Sequence, residues 1–313
     1  MHPGLSVILF TTTTGAGYGM LVLLGVLGFA GLVPADVSFG FAAFGVALGA
    51  VTFGLLSSTF HLGHPERAWR AFSQWRSSWL SREGVLAVVT YGPAGLFALS
   101  WAFLGDNGNV LGPVTAVLAA VTVFCTAMIY RSLATVHQWC NAWVVPNYLA
   151  LGLMTGAVWL NMLLAAFGLA DSNFALFTAA VVAVAAALKL AYWNFIDTTA
   201  HPSTPESATG LGGLGKVRLF EGPHTEENYL MKEMGFRIAR KHGRKLRRIA
   251  VTSTFAAPLV LTLIAAVIPP GLLLIACAGL AAVSVSIGVL IERWLFFAEA
   301  KHVVILYYGG ERA

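Results

Sequence analysis

The chain has 313 residues, 58% of them hydrophobic and only 11% charged, with a formal net charge of +5. A water-soluble protein of this length carries about 25% charged residues. The composition excludes a soluble enzyme, makes a nucleic-acid partner unexpected, and predicts an all-α integral membrane protein.

A membrane span needs about 20 apolar residues. Eight such runs follow one another, over residues 6–32, 38–61, 84–104, 110–131, 143–168, 173–193, 249–268 and 271–292. The first is read as a span rather than a leader. Met1-His2-Pro3-Gly4 has no basic segment, the run is too long for a signal sequence, and no twin-arginine pair stands near it. The breaks "PADVS", "GDNGN" and "ADSN" are short and polar, and "IPPG" separates the last two runs because Pro269 and Pro270 cannot continue a helix. Abundant Gly and Ala, as in "FGFAAFGVALGAVTFG", suit close helix contact.

An even number of spans puts both termini on one side. That side also holds residues 62–83, 132–142 and 194–248. All 19 Lys and Arg lie in those segments, in the C-terminal segment or at the adjoining span ends, and the opposite loops carry only Asp36, Asp106 and Asp171. By the positive-inside rule both termini are expected in the cytoplasm, and the chain in the inner (cytoplasmic) membrane. Residues 1–313 thus read as a single membrane domain, eight transmembrane helices in one bundle. It carries a cytoplasmic loop at 62–83 and a large basic cytoplasmic loop at 194–248.

The stretch after the second run, "FHLGHPERAWRAFSQWRSSWLSREG", concentrates polar chemistry beside the membrane. Trp69, Phe72, Trp75 and Trp79 recur at helical spacing with Arg70 and Arg76 between them, which predicts an interfacial helix with rings at headgroup depth. His61 ends the second run and Glu83 begins the third. Ionisable groups against hydrocarbon are costly, so two readings stand. They form a proton-handling pair, the imidazole donating to a quinone carbonyl, or His61 bonds a backbone carbonyl and Glu83 caps a helix. Past the fourth run, Tyr130, Arg131, His137 and Trp139 form a second polar and aromatic group. They line the same pocket, or they are interfacial aromatics beside a solvated histidine.

Asn141 and Asn147 flank Pro146 and are expected to satisfy backbone groups, and mid-span Asn161 to hold helices together. Lys189 is expected to snorkel. Glu292 and Arg293 end the last run and pair with each other or with a loop, and "ERWLFFAEAKHVVILYYGG" continues as an interfacial helix. In the large loop, "TEENYLMKEMGFRIARKHGRKLRRI" reads as an amphipathic helix capped by Thr225. It lies on anionic lipid or docks an acidic partner. Gly210, Gly215 and Lys216 fit a phosphate loop, but Val217 replaces its Ser/Thr, leaving a flexible glycine loop.

Cys125, Cys140 and Cys277 form no cluster spacing and read as buried apolar residues, so no metal or iron–sulfur site is expected in this chain. Of the eight histidines only His61, His137 and His302 lie near a run, all at the same end; no deep pair exists and no haem is expected. A transporter would place polar or broken helices at mid-membrane, and these runs are polar mainly at one end.

"HLGHPERAW…LSREG" resembles the "HLG-x-P-x-R-A…LS-x-E" signature of the membrane anchor subunit of dimethyl sulfoxide reductase. The likeness extends over the chain. "YRSLATVHQWCNAWVVPNYL" and "GPHTEENYLMKEMGFRIARKHGRKLRRI" resemble more the anchor of the cytoplasmic sulfite-oxidising molybdoenzyme. The resemblance implies a quinone-binding anchor for an iron–sulfur subunit and a molybdopterin subunit on the cytoplasmic side, with those cofactors in the partners only. It implies a quinone (ubiquinone or menaquinone) at His61 and Glu83, with Arg67 as the loop arginine. His64 and Glu66 depart from the family pattern, and so does the length of the 194–248 loop.

The expected function is transfer of electrons between the iron–sulfur partner and the quinone pool, with sulfite oxidation and quinone reduction. The alternatives are a quinol-oxidising dimethyl sulfoxide reductase anchor and a haem b cytochrome subunit. The quinone site is expected to involve His61, Glu83, Arg67, His64, Tyr130, Arg131, His137 and Trp139. Partner docking is expected at Arg70, Trp75, Arg76 and Arg82.

Overall fold

A computed structural model describes residues 3–60, 62–200, 203–221, 226 and 238–308, the side chains of 238–241 excepted. Among the described residues, eight helices are long and apolar enough to cross a membrane. They are α1 (Leu5–Phe29), α2 (Val37–Thr59), α3 (Trp79–Leu104), α4 (Leu111–Arg131), α5 (Val144–Ala166) and α6 (Ser172–Thr198). Helix α7 runs over Ile238–Val251 and through a π turn at Thr252–Ala256 into Ala257–Val267, and α8 is Leu272–Ala298. The wider π turn fits Pro258, which has no N–H to donate and needs room against the preceding turn.

The ends follow local chemistry. Asp36 caps α2 by accepting from Phe39 N at 2.7 Å. Asp171 caps α6 by accepting from Asn173 N at 2.8 Å. Gly105, at φ 62°, closes α3 in the left-handed conformation that glycine adopts without strain.

Helix α1 is the centre of the bundle and packs on α2, α4 and α5. Glycines set the spacing. A Cβ on Gly19 would lie 2.0 Å from Gly152 O on α5, and one on Gly25 2.2 Å from Gly112 O on α4. Without water to drive association inside a membrane, such backbone approach supplies the dispersion contact that holds helices together. Helices α6 and α8 pack on α5, and α7 packs on α6 and α8 to complete the bundle.

Several expectations are corrected. Helix α3 starts at Trp79, so Glu83 lies a full turn inside it and is buried. The residues before it form a 3₁₀ run, Pro65–Phe72, followed by turns, in place of an interfacial helix ending at Trp79. Helix α8 continues to Ala298, so Glu292 and Arg293 are interior and nearly inaccessible. Lys189 does not snorkel: it pairs with Glu292 within the bundle. The tail ends not in a continuous helix but in a 3₁₀ turn, Val303–Tyr308, attached to the 132–143 loop by Val303 N donating to Thr135 O at 3.0 Å. Cys125 is buried, but Cys140 is exposed and Cys277 half-buried.

Asn141 and Asn147 bond backbone as expected: Asn141 Nδ2 donates to Gln138 O at 2.9 Å, and Asn147 Nδ2 to Trp143 O at 2.8 Å. In the large loop, a short helix, Pro205–Thr209, is followed by a glycine segment held by Glu206 Oε1, which accepts from Val217 N at 3.0 Å. Hydrogen bonds from its own N–H, Thr204 and Val217 hold the Glu206 carboxyl below the usual range. Of the segment 225–249, residues 225 and 227–237 lie outside the described residues, and 238–249 form the start of α7.

Gly19→Leu is expected to force α1 from α5 and lower stability by about 1–3 kcal/mol or more. Gly49→Ala, where a Cβ meets open space, should stay within about 0.5 kcal/mol of wild type. Thermal unfolding of detergent-purified protein checks both.

Candidate functional site

The end of the bundle that carries the basic loops also carries a cavity of about 760 Å³, bounded by α1, α2, α3, α4 and the 62–72 segment. Its floor holds Glu83, 5% exposed, which accepts a hydrogen bond from Thr126 Oγ1 on α4. Tyr130 forms part of the wall, and His64 and Arg67 belong to the roof. Glu66 joins those two roof residues: its Oε1 is 3.0 Å from His64 Nδ1 and 3.7 Å from Arg67 Nε. The rest of the lining is apolar, as ligand pockets usually are, with a few convergent polar groups.

The roof is fixed to α3 by its first residues. Ser78 caps the helix, its Oγ accepting from Ser81 N at 3.4 Å. Ser81 Oγ donates to Ala71 O and accepts from Gln74 N at 3.1 Å. Arg82 donates from Nε to Trp75 O at 3.0 Å and from its terminal nitrogen to Arg76 O at 2.7 Å. Its guanidinium carbon also stands 4.2 Å from the Trp79 ring centre. Arg82 is thus an internal brace of the loop as well as a surface cation. Phe72 presses against Gly84, where a Cβ would come within 3.2 Å of its ring. Glu83 therefore sits between two residues that bind the roof, which is how a carboxylate comes to lie under a lid.

Leu56 on α2 and Leu80 and Val88 on α3 line the cavity and are each more than half exposed on the outer surface. The cavity therefore opens sideways, between α2 and α3, onto the apolar face of the bundle.

The residues expected from sequence divide into two groups. Glu83, His64, Arg67 and Tyr130 come together at the cavity. His61 lies outside the described residues; Thr59 and Leu62, on either side of it, line the cavity. Arg131, His137 and Trp139 do not line it. Arg131 is exposed, past the end of the wall. His137 Nε2 bonds Thr199 Oγ1 at 2.9 Å, at the foot of α6. Trp139 donates to Phe296 O at 3.0 Å and packs edge-on to Tyr130 at 5.4 Å, behind the wall. Arg70, Trp75 and Arg76 are exposed on the outer side of the roof. Sequence reasoning misses Thr126, which holds Glu83, because a threonine within an apolar run carries no signal of its own.

On the side of the bundle away from the cavity, Arg247 of α7 forks between Asp197, at 2.6 Å, and Glu299, at 2.7 Å. Burial raises the pKa of Glu299 while Arg247 opposes the rise. Among the described residues no group of three His, Cys, Asp or Glu is placed to hold a metal ion.

The chain matches the DMSO reductase anchor subunit (DmsC) family over residues 1–309. It is also 32% identical to the C subunit of the sulfite dehydrogenase of Allochromatium vinosum, over 98% of this chain and 99% of that protein. A match of that extent, on eight membrane-length helices, makes the chain a multi-pass membrane protein that belongs to the DMSO reductase anchor subunit family.

Proposed function

We propose that the chain is the quinone-reactive anchor of a molybdopterin oxidoreductase, with the cavity over Glu83 as the quinone site. The observation that carries this reading is a large, mainly apolar cavity that opens onto the lipid face and ends on a buried carboxyl group. A quinone is a lipid-soluble ring whose reduction takes up two electrons and two protons at its carbonyl oxygens. Glu83, held by Thr126, delivers a proton to one carbonyl oxygen. His64 and Arg67 meet the headgroup from the roof, and the resemblance to the family signature supports His61 as a further quinone-binding group. Tyr130 forms the flat wall against which a ring lies.

Electrons come from an iron–sulfur partner seated on the outer side of the roof, where Arg70, Trp75 and Arg76 are exposed. The concentration of Lys and Arg at this end supports a cytoplasmic position for it, and for the partners, by the positive-inside rule. The similarity to a sulfite dehydrogenase subunit favours sulfite oxidation with quinone reduction over quinol oxidation.

Glu83→Gln is expected to lower sulfite-dependent quinone reduction on the order of a hundredfold. Sulfite oxidation with a soluble dye acceptor should remain, because the molybdenum chemistry is elsewhere. Assays of the complex purified from its native membrane check this, and wild-type quinone turnover in the variant would remove Glu83 from the site. Sidedness is checked by labelling intact cells with an impermeant maleimide in a Cys140→Ser background. Asp106→Cys should react in intact cells, and Ser73→Cys only after the cells are opened.

A further inference from the structure

Three ionisable side chains lie sealed inside the bundle. Lys189 of α6 is 1% exposed, and Glu292 and Arg293 of α8 are 0% and 3% exposed. Glu292 Oε1 pairs with Lys189 Nζ, and Glu292 Oε2 stands 3.5 Å from Arg293 Nε. Aromatic faces hold the Lys189 ammonium as well. Tyr192 and Trp193 of its own helix have ring centres at 4.2 and 4.8 Å, and Phe296 of α8 at 5.9 Å. Arginine does not give up its proton at accessible pH. The cluster therefore sets two positive charges against one negative. Uncompensated charge inside a membrane bundle is costly, and where it is kept it marks a function.

The excess charge faces the large cavity. The Arg293 guanidinium lies 3.8 Å over the Tyr148 ring. Tyr148 in turn stacks on Tyr130 at 5.7 Å, their planes 21° apart, and Tyr130 is the cavity wall. Two aromatic rings thus separate the guanidinium from the cavity. Arg293 also lines a chamber of about 10 Å³, close to the room one water molecule needs, and so does Thr126, the partner of Glu83.

The balancing charge lies on the other side. Glu299 is two turns along α8 from Glu292, where Arg247 holds it beside Asp197, and that group carries one net negative charge. Asp197 is 56% exposed, so water and salt screen this group far more than the sealed cluster. The two groups form a dipole whose buried, positive end points at the Tyr130 wall. Arg67 does not supply the same field from the roof, because it is 56% exposed and stands beside Glu66.

We propose that the Lys189–Glu292–Arg293 cluster is a fixed positive charge behind the Tyr130 wall, and that it makes the cavity favour a ring whose oxygens carry negative charge. The proposal rests on the quinone reading of the cavity. An electron from the iron–sulfur partner puts one negative charge on the ring oxygens. The proton of Glu83 then neutralises that charge and leaves Glu83 ionised. Between the two events the charge lies in an apolar space, and the cluster stabilises it there. Neither Arg293 nor Lys189 touches the ring; both act through their field. At the effective permittivity of a protein interior, unit charges about 12 Å apart change an equilibrium about tenfold.

The test measures equilibrium binding, without turnover, to the complex purified from its native membrane. The probes are a hydroxynaphthoquinone, ionised at neutral pH, and its uncharged methyl ether. Arg293→Gln leaves Lys189 and Glu292 as a neutral pair, and Lys189→Met leaves Glu292 and Arg293 as one. Arg293→Gln is expected to weaken binding of the ionised probe about tenfold, and Lys189→Met, whose charge is farther from the wall, about fivefold. Binding of the methyl ether should stay at the wild-type value in both. Co-purification of the partner subunits checks assembly, and if Arg293→Gln does not assemble, Lys189→Met decides alone. Equal weakening of both probes would make the cluster a structural brace, and unchanged binding of both would mean that it carries no net charge. Either result overturns the proposal and leaves the quinone site standing. A wild-type complex that binds neither probe would overturn the quinone reading, and this proposal with it.

Discussion

The close seating of α1 against its neighbours is the contact on which the rest of the bundle depends. Gly19 and Gly152 bring α1 and α5 to backbone contact, and Gly25 and Gly112 do the same for α1 and α4. With α1 so placed, Thr11, Thr12 and Thr14 face Thr126, Tyr148 and Arg293 across a space one water wide. The same helix contributes Val7 and Phe10 to the larger cavity. A bulkier residue at the seam would open both spaces at once, so packing and chemistry share one origin here.

The second organising device is the junction at 78–83. A capping serine, a serine that bonds two loop backbone groups and an arginine that binds two loop carbonyls occupy three of the first positions of α3. They turn the polar segment before α3 into a fixed roof. In hydrocarbon an unsatisfied peptide group costs several kcal/mol, and these side chains satisfy the irregular backbone where it meets the membrane. The carboxylate that follows is left facing inward, with a threonine hydroxyl as its partner.

Much of this is legible in the sequence. Apolar run length locates the eight helices, and the asymmetry of Lys and Arg separates the two ends of the bundle. Glu83 stands out because a carboxylate beside hydrocarbon needs a reason. What the sequence does not reveal is pairing across the bundle. Lys189 has no acid within reach on its own helix, so snorkelling is the natural expectation; its partner Glu292 arrives from α8 only in three dimensions. His137 and Trp139 look like pocket residues because they follow Tyr130 closely, yet the chain turns after α4 and carries them behind the wall. Helix ends are misplaced where apolar composition and hydrogen-bonded length differ. Trp79, Ser81 and Arg82 are too polar a group to count as a span, but a capped backbone continues through them.

The sideways opening between α2 and α3 changes what concentration means for any molecule that uses the cavity. Leu56, Leu80 and Val88 form an exposed apolar threshold, of the kind that suits acyl chains rather than water. A visitor entering there is already dissolved in the bilayer, and its hydrocarbon tail can stay behind in the lipid while the head enters. Occupancy is then governed by mole fraction in the membrane, and the aqueous concentration matters only through partitioning. Dilution with detergent micelles empties such a site without disturbing a single protein contact, and binding strength acquires a fixed meaning only when expressed per lipid.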